Sequence, residues 1–335
     1  MILAAGYGTR LWPLTIDRAK PAIPFMNRPL VGYVAEYVAR YGCREVVVNL
    51  HHQSESVREA LGDGNRFGVR LHYVEEPVIL GTSGALDNAR ALLDADTFVV
   101  INGKIATDID LGAALATHRR TDALATLVLK RNARRERFST VETRDGLVLG
   151  FGPAPGASDK ASSASRAAQK DEGGADVPLM FTGIQILEPR IFDYIPRGVF
   201  SHTTTDVYPQ AIARGERIAA HVAEGMWHEL STIQRYLEIS IELMRGEGRE
   251  VEAGEGAMIE EGAEVRESIL WEGAWVARGA HVRRAILGAG VEVGSGETIE
   301  NAAVVRAELV DGSERPPKAL AGVRRGANFV VPLAQ

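Results

Sequence analysis

A short glycine-rich stretch near the start of the chain carries residues whose types and spacing suit phosphate binding. Gly6 and Gly8 stand one residue apart, Thr9 and Arg10 follow directly, and Lys20 comes ten residues after Arg10. Glycines tolerate positive φ and let a ligand approach the backbone closely, and successive N–H groups in such a turn form an anion-binding concavity. The guanidinium and the ammonium add the positive charge that a polyphosphate requires. The stretch therefore predicts a polyphosphate site, whereas two glycines alone would equally suit an ordinary strand-to-helix turn.

Regular elements must position this loop, and the hydrophobic pattern predicts them. Strands are predicted at 45–50, 69–74 and 97–103, and helices at 30–41, 54–61 and 84–93. Such alternation predicts an α/β fold, a Rossmann-like, mostly parallel sheet with helices on both faces. Ligands of these sheets bind beyond the carboxyl ends of the strands. The glycine loop, the Gly81–Gly84 turn and Gly103 are therefore expected to meet at one cleft.

Composition limits the class of protein. The net charge of −6 argues against a nucleic-acid surface, so an anionic substrate must be met by local positive charge. Cys43 is the single cysteine, which rules out an intramolecular disulfide and fits a reducing cytoplasm. The sequence shows neither a run of 18 apolar residues nor a basic, apolar leader. We expect a cytoplasmic protein that binds neither nucleic acid nor membranes.

Changes in pattern predict the domain boundaries. A first domain is predicted over residues 1–245, interrupted at 153–177 by a flexible surface insertion in which Ala, Ser, Gly, Lys and Asp dominate. A second unit is predicted over 250–310, and residues 311–335 are expected to form a tail.

The second unit repeats with a period of 17 residues. Apolar residues keep this period in three rows, and glycines keep it in two: Ala253, Leu270, Leu287 and Val304; Ile259, Val276 and Val293; Val265, Val282 and Ile299; Gly256, Gly273 and Gly290; Gly262, Gly279 and Gly296. Apolar steps of six, six and five residues are the mark of a hexapeptide β-helix, here of about three coils. Its exposed strand edges would make the flat end a surface for a homo-oligomer.

The opening stretch as a whole, LAAGYGTRLWPLT followed by Lys20–Pro21, resembles the signature loop of the sugar-1-phosphate nucleotidyltransferases. Phe67–Leu71, Gly81–Thr82 and Thr107–Leu111 are most similar to the mannose-1-phosphate guanylyltransferases. The resemblance implies that a sugar 1-phosphate attacks the α-phosphorus of a nucleoside triphosphate and that pyrophosphate leaves. It also implies that the C-terminal β-helix is left-handed.

Position by position, the resemblance implies roles for individual residues. The nucleotide would contact Leu3, Ala4, Ala5, Gly6, Gly8, Thr9, Glu76, Gly81, Thr82 and Gly103, with Arg10, Lys20 and Lys104 at the reacting centre. A carboxylate at Glu76 could accept from the N1–H and N2 edge of guanine, which favours GTP, but an exposed loop acid would explain the same residue. The sugar would contact Glu142 and the turn at Thr182–Gly183.

The chain departs from the family pattern where the family binds Mg²⁺. The aspartate expected after Ile101–Gly103 is Lys104, and the partner aspartate of a W-x-D-x-G-T motif is Glu229. Glu229 can still ligate Mg²⁺, but lysine offers only donors and a positive charge. We expect the ammonium to expel or displace the ion, or to imitate it against the phosphates and Glu229, and turnover to fall by ~10²-fold or more.

Two functions remain open at this point. The first is nucleotidyl transfer, with GTP and mannose 1-phosphate favoured as substrates. The second is a nucleotide- or nucleotide-sugar-binding regulatory protein that has lost turnover. Lys104 is either a natural divergence or an introduced change, and Phe151 and Phe181, which replace sugar-side motif residues, favour divergence.

Overall fold

The computed structural model describes residues 1–133, 136, 138–152 and 177–334. The predicted insertion at 153–177 therefore lies outside the described residues, apart from Val177. Within the described part, no helix has the length and apolar character needed to cross a membrane.

Six α-helices and 23 strands make up the described structure. The helices are α1 (Leu30–Arg40), α2 (Ser54–Leu61), α3 (Gly81–Asn88), α4 (Leu111–Thr121), α5 (Tyr208–Ala213) and α6 (Ile233–Gly246). The strands of the first part are β1 (Ile2–Leu3), β2 (Pro24–Phe25), β3 (Arg28–Pro29), β4 (Glu45–Leu50), β5 (Arg70–Glu75), β6 (Phe98–Asn102), β7 (Ile105–Thr107), β8 (Ala125–Arg131), β9 (Thr140–Arg144), β10 (Leu147–Gly152), β11 (Leu179–Leu187), β12 (Ile218–Val222) and β13 (Trp227–Glu229). Those of the second part are β14 (Val251–Ala253), β15 (Met258–Ile259), β16 (Glu264–Arg266), β17 (Ser268–Leu270), β18 (Trp275–Val276), β19 (His281–Leu287), β20 (Glu292–Val293), β21 (Thr298–Arg306), β22 (Val323–Arg325) and β23 (Asn328–Pro332).

The central sheet is mixed, so the prediction of a mostly parallel sheet was wrong. Its order is β5-β4-β1-β6-β11-β8-β12-β10-β9. The first four strands are parallel, as the helical crossovers predict. β11 then runs antiparallel to both β6 and β8, and β9 and β10 form a hairpin that turns at Asp145 and Gly146, both with positive φ. The alternation of strand and helix ends near β8, and strand direction is no longer set by crossovers beyond that point.

The predicted helices and strands lie close to those observed. The predicted helix at 54–61 coincides with α2, and the one at 30–41 ends one residue early, ahead of Gly42 with φ 86°. The predicted helix at 84–93 is instead α3, which begins at Gly81, followed by a 3₁₀ turn at Arg90–Leu92. Apolar faces of α1 and α2 pack with Ile2, Val48 and Ile101 of the sheet.

The strands of the second part stack in parallel with the predicted period. β14 pairs Val251 with Ser268, β18 pairs Trp275 with Glu292 and β19 pairs His281 with Thr298, in each case 17 residues apart. The apolar rows point inward from the second coil onward, where their members are almost fully buried. In the first coil, Ala253 and Ile259 are exposed.

The tail at 311–335 contains a hairpin rather than irregular chain alone. β23 pairs antiparallel with β21 and with β22, so it covers one end of the stacked strands. Val330 and Val331 are buried in this contact. At the far end, the first coil leaves Met258 and Ile259 exposed.

The C-terminal part packs against the loop that connects Arg10 to Lys20. The Trp12 ring meets the Phe329 ring edge-on, with centroids 5.6 Å apart. The Arg18 guanidinium lies 4.9 Å from the centroid of the Trp271 ring and donates to Glu272 Oε1 at 2.7 Å. The two ends of the loop are thus anchored on the same neighbouring unit.

This anchoring predicts a stability effect. Arg18→Ala removes a charge-assisted hydrogen bond and a cation–π contact, and we expect it to lower the free energy of unfolding by roughly 1 kcal/mol or more. Arg217, which is 53% exposed beside a 92% exposed Asp122, is the control, and Arg217→Ala should change the same free energy by less than about 0.5 kcal/mol. Equal effects in urea titrations of the two variants would contradict the anchoring.

Candidate functional site

A cavity of about 450 Å³ opens at the carboxyl ends of β1, β4, β5 and β6. It is lined by Leu3, Ala4, Ala5, Gly6, Tyr7, Gly8, Thr9, Arg10, Lys20, Pro21, Asn49, Glu76, Ile79, Gly81, Thr82, Asn102, Lys104, His202 and Ser231. The glycine loop and the Gly81 turn therefore meet in one cleft, as the parallel strands predicted. Gly103 lies behind the cavity wall, where its N–H donates to the carbonyl of Leu3 at 2.9 Å.

Gly8 shapes the glycine loop. Its φ is 65°, and a Cβ at this position would lie 2.9 Å from the Cβ of Lys20 and 3.1 Å from Cγ2 of Thr15. Its carbonyl accepts from the N–H of Leu11 at 2.8 Å. Backbone conformation and close packing both require glycine here, and the same packing places Lys20 against the loop.

Lys20 is a buried cation on the floor of the cavity. It begins a 3₁₀ turn at Lys20–Ala22 and is 9% exposed. Burial, together with the charges of Lys104 and Arg10, lowers the pKa of Lys20 to about 7, while Glu229 acts in the opposite direction. A phosphate group entering the cavity would favour the protonated form, because it brings opposite charge to a desolvated ammonium.

Glu76 connects the start of the glycine loop to the Gly81 turn. It is 3% exposed, so the alternative of an exposed loop acid was wrong. Its Oε1 accepts from Asn49 Nδ2 at 2.6 Å, and its Oε2 accepts from the N–H of Leu80 at 2.9 Å. Asn49 Oδ1 in turn accepts from the N–H of Ala4 at 2.8 Å. This chain of hydrogen bonds fixes β1, β4 and the turn relative to one another.

The Gly81 turn is held from a distant part of the chain. Gly81 has φ 76°, and a Cβ there would lie 2.4 Å from the carbonyl oxygen of Ser201. The N–H of Thr82 donates to His202 Nδ1 at 3.2 Å, and the Thr82 hydroxyl accepts from the N–H of Thr203 at 2.9 Å. His202 Nδ1 therefore acts as the acceptor in this contact.

Seven of the lining residues were not among the predicted site residues: Tyr7, Pro21, Asn49, Ile79, Asn102, His202 and Ser231. Two of them carried a readable signal, since Asn49 and Asn102 are polar residues at the ends of apolar strands that point to the cleft. His202 carried none, because 120 residues separate it from Thr82.

Lys104 and Glu229 form an ion pair at one wall of the cavity. Lys104 Nζ lies 3.0 Å from Glu229 Oε1. Burial opposes ionisation of Glu229, but the charges of Lys104 and Lys20 outweigh it and hold the pKa of that carboxyl below its ordinary value. The pairing expected from the sequence is present.

This donor set does not fit Mg²⁺. The ion prefers octahedral oxygen ligands and one or two carboxylates beside phosphates, whereas the carboxylate available here is already paired with an ammonium. Within the described residues, no group of three or more His, Cys, Asp or Glu side chains could hold a metal ion.

The sugar-side residues are less convergent than the nucleotide-side residues. Gly183, with φ 80°, lies against Asn102, whose Nδ2 would be 2.1 Å from a Cβ at that glycine. The Thr182 hydroxyl donates to the carbonyl of Val128 at 2.7 Å and is fully buried. Glu142 is exposed on β9 and stands outside the cavity lining. None of the three lines the cavity, and Gly183 packs against Asn102, which does.

Substitutions of the two loop glycines are predicted to differ in their effect on stability. Gly8→Ala forces a residue with φ 65° into a clash with Lys20, and we expect it to lower the free energy of unfolding by roughly 1–3 kcal/mol. A Cβ at Gly6 meets nothing within 4 Å, so Gly6→Ala should stay within about 0.5 kcal/mol of the parent protein. Equal losses in urea denaturation would show that the loop is not fixed by Gly8.

The lowered pKa of Lys20 predicts how stability depends on pH. Between the folded value of about 7 and the unfolded value of 10.5, the unfolded chain binds more protons, so this residue makes the free energy of unfolding rise with pH across that window. Lys20→Met should remove that rise, on the order of a few kcal/mol, whereas Lys318→Met on the exposed tail should keep it. Parallel stability curves for the parent and Lys20→Met from about pH 7 to about pH 10 would contradict the assignment.

Comparison with known proteins identifies the family. Residues 1–246 match the family described as nucleotidyl transferase. A UTP–glucose-1-phosphate uridylyltransferase from Synechocystis sp. is 30% identical over 250 residues, covering 70% of this chain and 61% of that protein. A mannose-1-phosphate guanylyltransferase from Mycobacterium tuberculosis is 28% identical over 250 residues, covering 73% and 64%. An N-acetylmuramate alpha-1-phosphate uridylyltransferase from Neisseria meningitidis is 30% identical over 243 residues, covering 71% and 95%.

The first two of these relatives are matched over less than two thirds of their length. The names of all three differ in the sugar, and two are uridylyltransferases whereas one is a guanylyltransferase. Among solved structures, HddC from Yersinia pseudotuberculosis gives a TM-score of 0.58 at 20% identity, covering 72% of this chain and 97% of that chain. A structure from Bacillus anthracis described as a glucose-1-phosphate thymidylyltransferase gives 0.60 at 21% identity, covering 73% and 94%. These likenesses concern the α/β fold alone. Since the family match extends over most of the sequence, this chain belongs to the nucleotidyl transferase family.

Proposed function

We propose that this protein transfers a nucleotidyl group from a nucleoside triphosphate to a sugar 1-phosphate. The observation that carries the proposal is the meeting of the glycine loop, Arg10, Lys20 and Lys104 in one cavity. In the proposed reaction, a phosphate oxygen of the sugar 1-phosphate forms a bond to the α-phosphorus while the bond to pyrophosphate breaks. The products are a nucleoside diphosphate sugar and pyrophosphate.

The protein's part in this reaction is positioning and charge neutralisation. The backbone around Gly6 and Gly8 would hold the phosphates, and Arg10 and Lys20 would offset their charge. Lys104 supplies one positive charge at the wall where the family resemblance implies an aspartate, and it offers no octahedral template. We therefore expect turnover ~10²-fold or more below that of a metal-assisted site.

GTP and mannose 1-phosphate are the substrates we favour. The mannose-1-phosphate guanylyltransferase among the relatives supports this choice. Glu76 also supports it: an ionised carboxylate has about four lone-pair sites, so Glu76 can accept from guanine while it keeps Asn49 and the N–H of Leu80. Two other relatives are uridylyltransferases, so the test also includes UTP.

A second candidate function is a regulatory protein that binds nucleotides without turning them over. The Lys104–Glu229 ion pair favours it, because the pair removes the expected metal ligands while the phosphate loop is kept. The exposed position of Glu142 favours it as well, since this residue is expected to hold the sugar.

We further propose that the stacked strands of residues 250–310 form a left-handed β-helix through which the protein associates with a second copy. The 17-residue offset in strand pairing supports a β-helix. The exposed apolar residues of the first coil support association at that end, because the opposite end is covered by β23.

Pyrophosphate release tests the main proposal. GTP, ATP, UTP and dTTP are each combined with a panel of sugar 1-phosphates, with Mg²⁺ present, for the parent protein, Lys104→Asp and Lys20→Met. We expect slow release by the parent, an increase of ~10²-fold for Lys104→Asp, and loss for Lys20→Met because a phosphate contact is removed.

Three outcomes would count against parts of the proposal. Rapid, Mg²⁺-dependent release by the parent would show that Lys104 does not impair turnover. Nucleotide binding without release for any pair, in the parent and in Lys104→Asp, would favour the regulatory function. Absence of both binding and release would exclude both candidates.

A further inference from the structure

We propose that the Lys104–Glu229 ion pair takes the place of a divalent cation in this cavity, so that the protein binds the polyphosphate of a nucleotide without metal. The inference rests on the proposed function, because it concerns the same cavity. It goes further in assigning the phosphate-binding charge to a side chain of the protein itself.

The backbone holds both partners of the pair in place. β7, which follows Lys104 directly, pairs antiparallel with β13, and this register sets Glu229 opposite Ile105. The carbonyl of Lys104 accepts from the N–H of Leu230 at 3.1 Å, and the carbonyl of Glu229 accepts from Arg235 Nε at 2.9 Å. These hydrogen bonds and the β7–β13 pairing therefore fix the backbone of both Lys104 and Glu229.

The charges around the pair resist its replacement by a metal ion. The Glu229 side chain is 9% exposed, and its Oε1 is the atom that contacts the ammonium. A cation that took this oxygen would leave Lys104 unpaired in a cavity it shares with Arg10 and Lys20. Removing the carboxylate in this way leaves the Lys104 ammonium near two other cations without a counter-charge, which is costly.

The ammonium is also placed to contact phosphates. Lys104 lines the same cavity as Gly8, Arg10 and Lys20, and its side chain is 31% exposed. An ammonium has three donors, and among the described residues Glu229 is the side chain with which Lys104 forms an ion pair. The remaining donors can serve phosphate oxygens while Glu229 keeps the ammonium in position.

Binding measured with and without metal tests the inference. The probes are inorganic tripolyphosphate, which carries no base, and GTP, each titrated calorimetrically in EDTA and in Mg²⁺. The parent protein should bind both probes in EDTA, with affinities within about 3-fold of those in Mg²⁺. Lys104→Asp should lose ~10-fold or more in EDTA and recover with Mg²⁺, because two carboxylates then face the phosphates and can ligate the ion.

Two further variants keep the test interpretable. Lys318→Asp changes the net charge equally on an exposed residue and should bind like the parent in both conditions. Lys104→Met, which introduces no new charge, should lose ~10-fold or more in EDTA even if Lys104→Asp fails to fold.

The contradicting results separate this inference from the proposed function. If the parent binds in Mg²⁺ but loses more than ~10-fold in EDTA, the inference is wrong while the proposed function stands. Unchanged binding by Lys104→Met in EDTA would also overturn it. If neither probe binds in either condition, the proposed function fails together with the inference.

Discussion

A buried carboxylate needs a positive partner, and Glu229 obtains one from Lys104. Glu229 is 7% exposed and would be costly to keep ionised without nearby positive charge. The pairing of β7 with β13 brings the two residues together, and the start of α6 supports the same ladder through Arg235. The electrostatics of this wall follow from the pair, because it places a protein ammonium beside the buried carboxylate.

The opposite wall depends on the close packing of Gly8 against Lys20. The left-handed glycine allows the loop to fold over the buried ammonium, and the loop's connecting segment is anchored through Trp12 and Arg18 on the C-terminal part. A single apolar cluster contains Leu11, Leu14, Trp271 and Val331, so it joins the segment to the stacked strands and the terminal hairpin. The residues that line the cavity all belong to the first part of the chain, and the C-terminal part supports the segment that joins Arg10 to Lys20.

Local chemistry explains what could be predicted from the sequence. The glycine loop, the strands β4, β5 and β6, and the 17-residue period are each encoded in a short contiguous stretch of sequence, and they were predicted at the right places. The mixed direction of the sheet was not, because β11 inserts between β6 and β8 by pairing over long sequence distances. The contact of His202 with Thr82 has the same non-local origin. From the sequence, Glu76 could be either a guanine-binding residue or an exposed loop acid. Its burial and its hydrogen bonds exclude the exposed loop acid.

The residues predicted to bind the nucleotide and those predicted to bind the sugar differ in how closely the structure brings them together. The glycines, cations and turn residues predicted for the nucleotide converge on the cavity. Thr182 donates its hydroxyl to a carbonyl within the sheet, and Glu142 is exposed on β9.

A crystal structure with GTP and Mn²⁺, whose anomalous scattering locates the ion, tests the central claim most directly. We expect the triphosphate between Gly8 and Lys20, Lys104 still paired with Glu229, and no Mn²⁺ on that carboxylate. An anomalous peak ligated by Glu229, with Lys104 turned away, would contradict it.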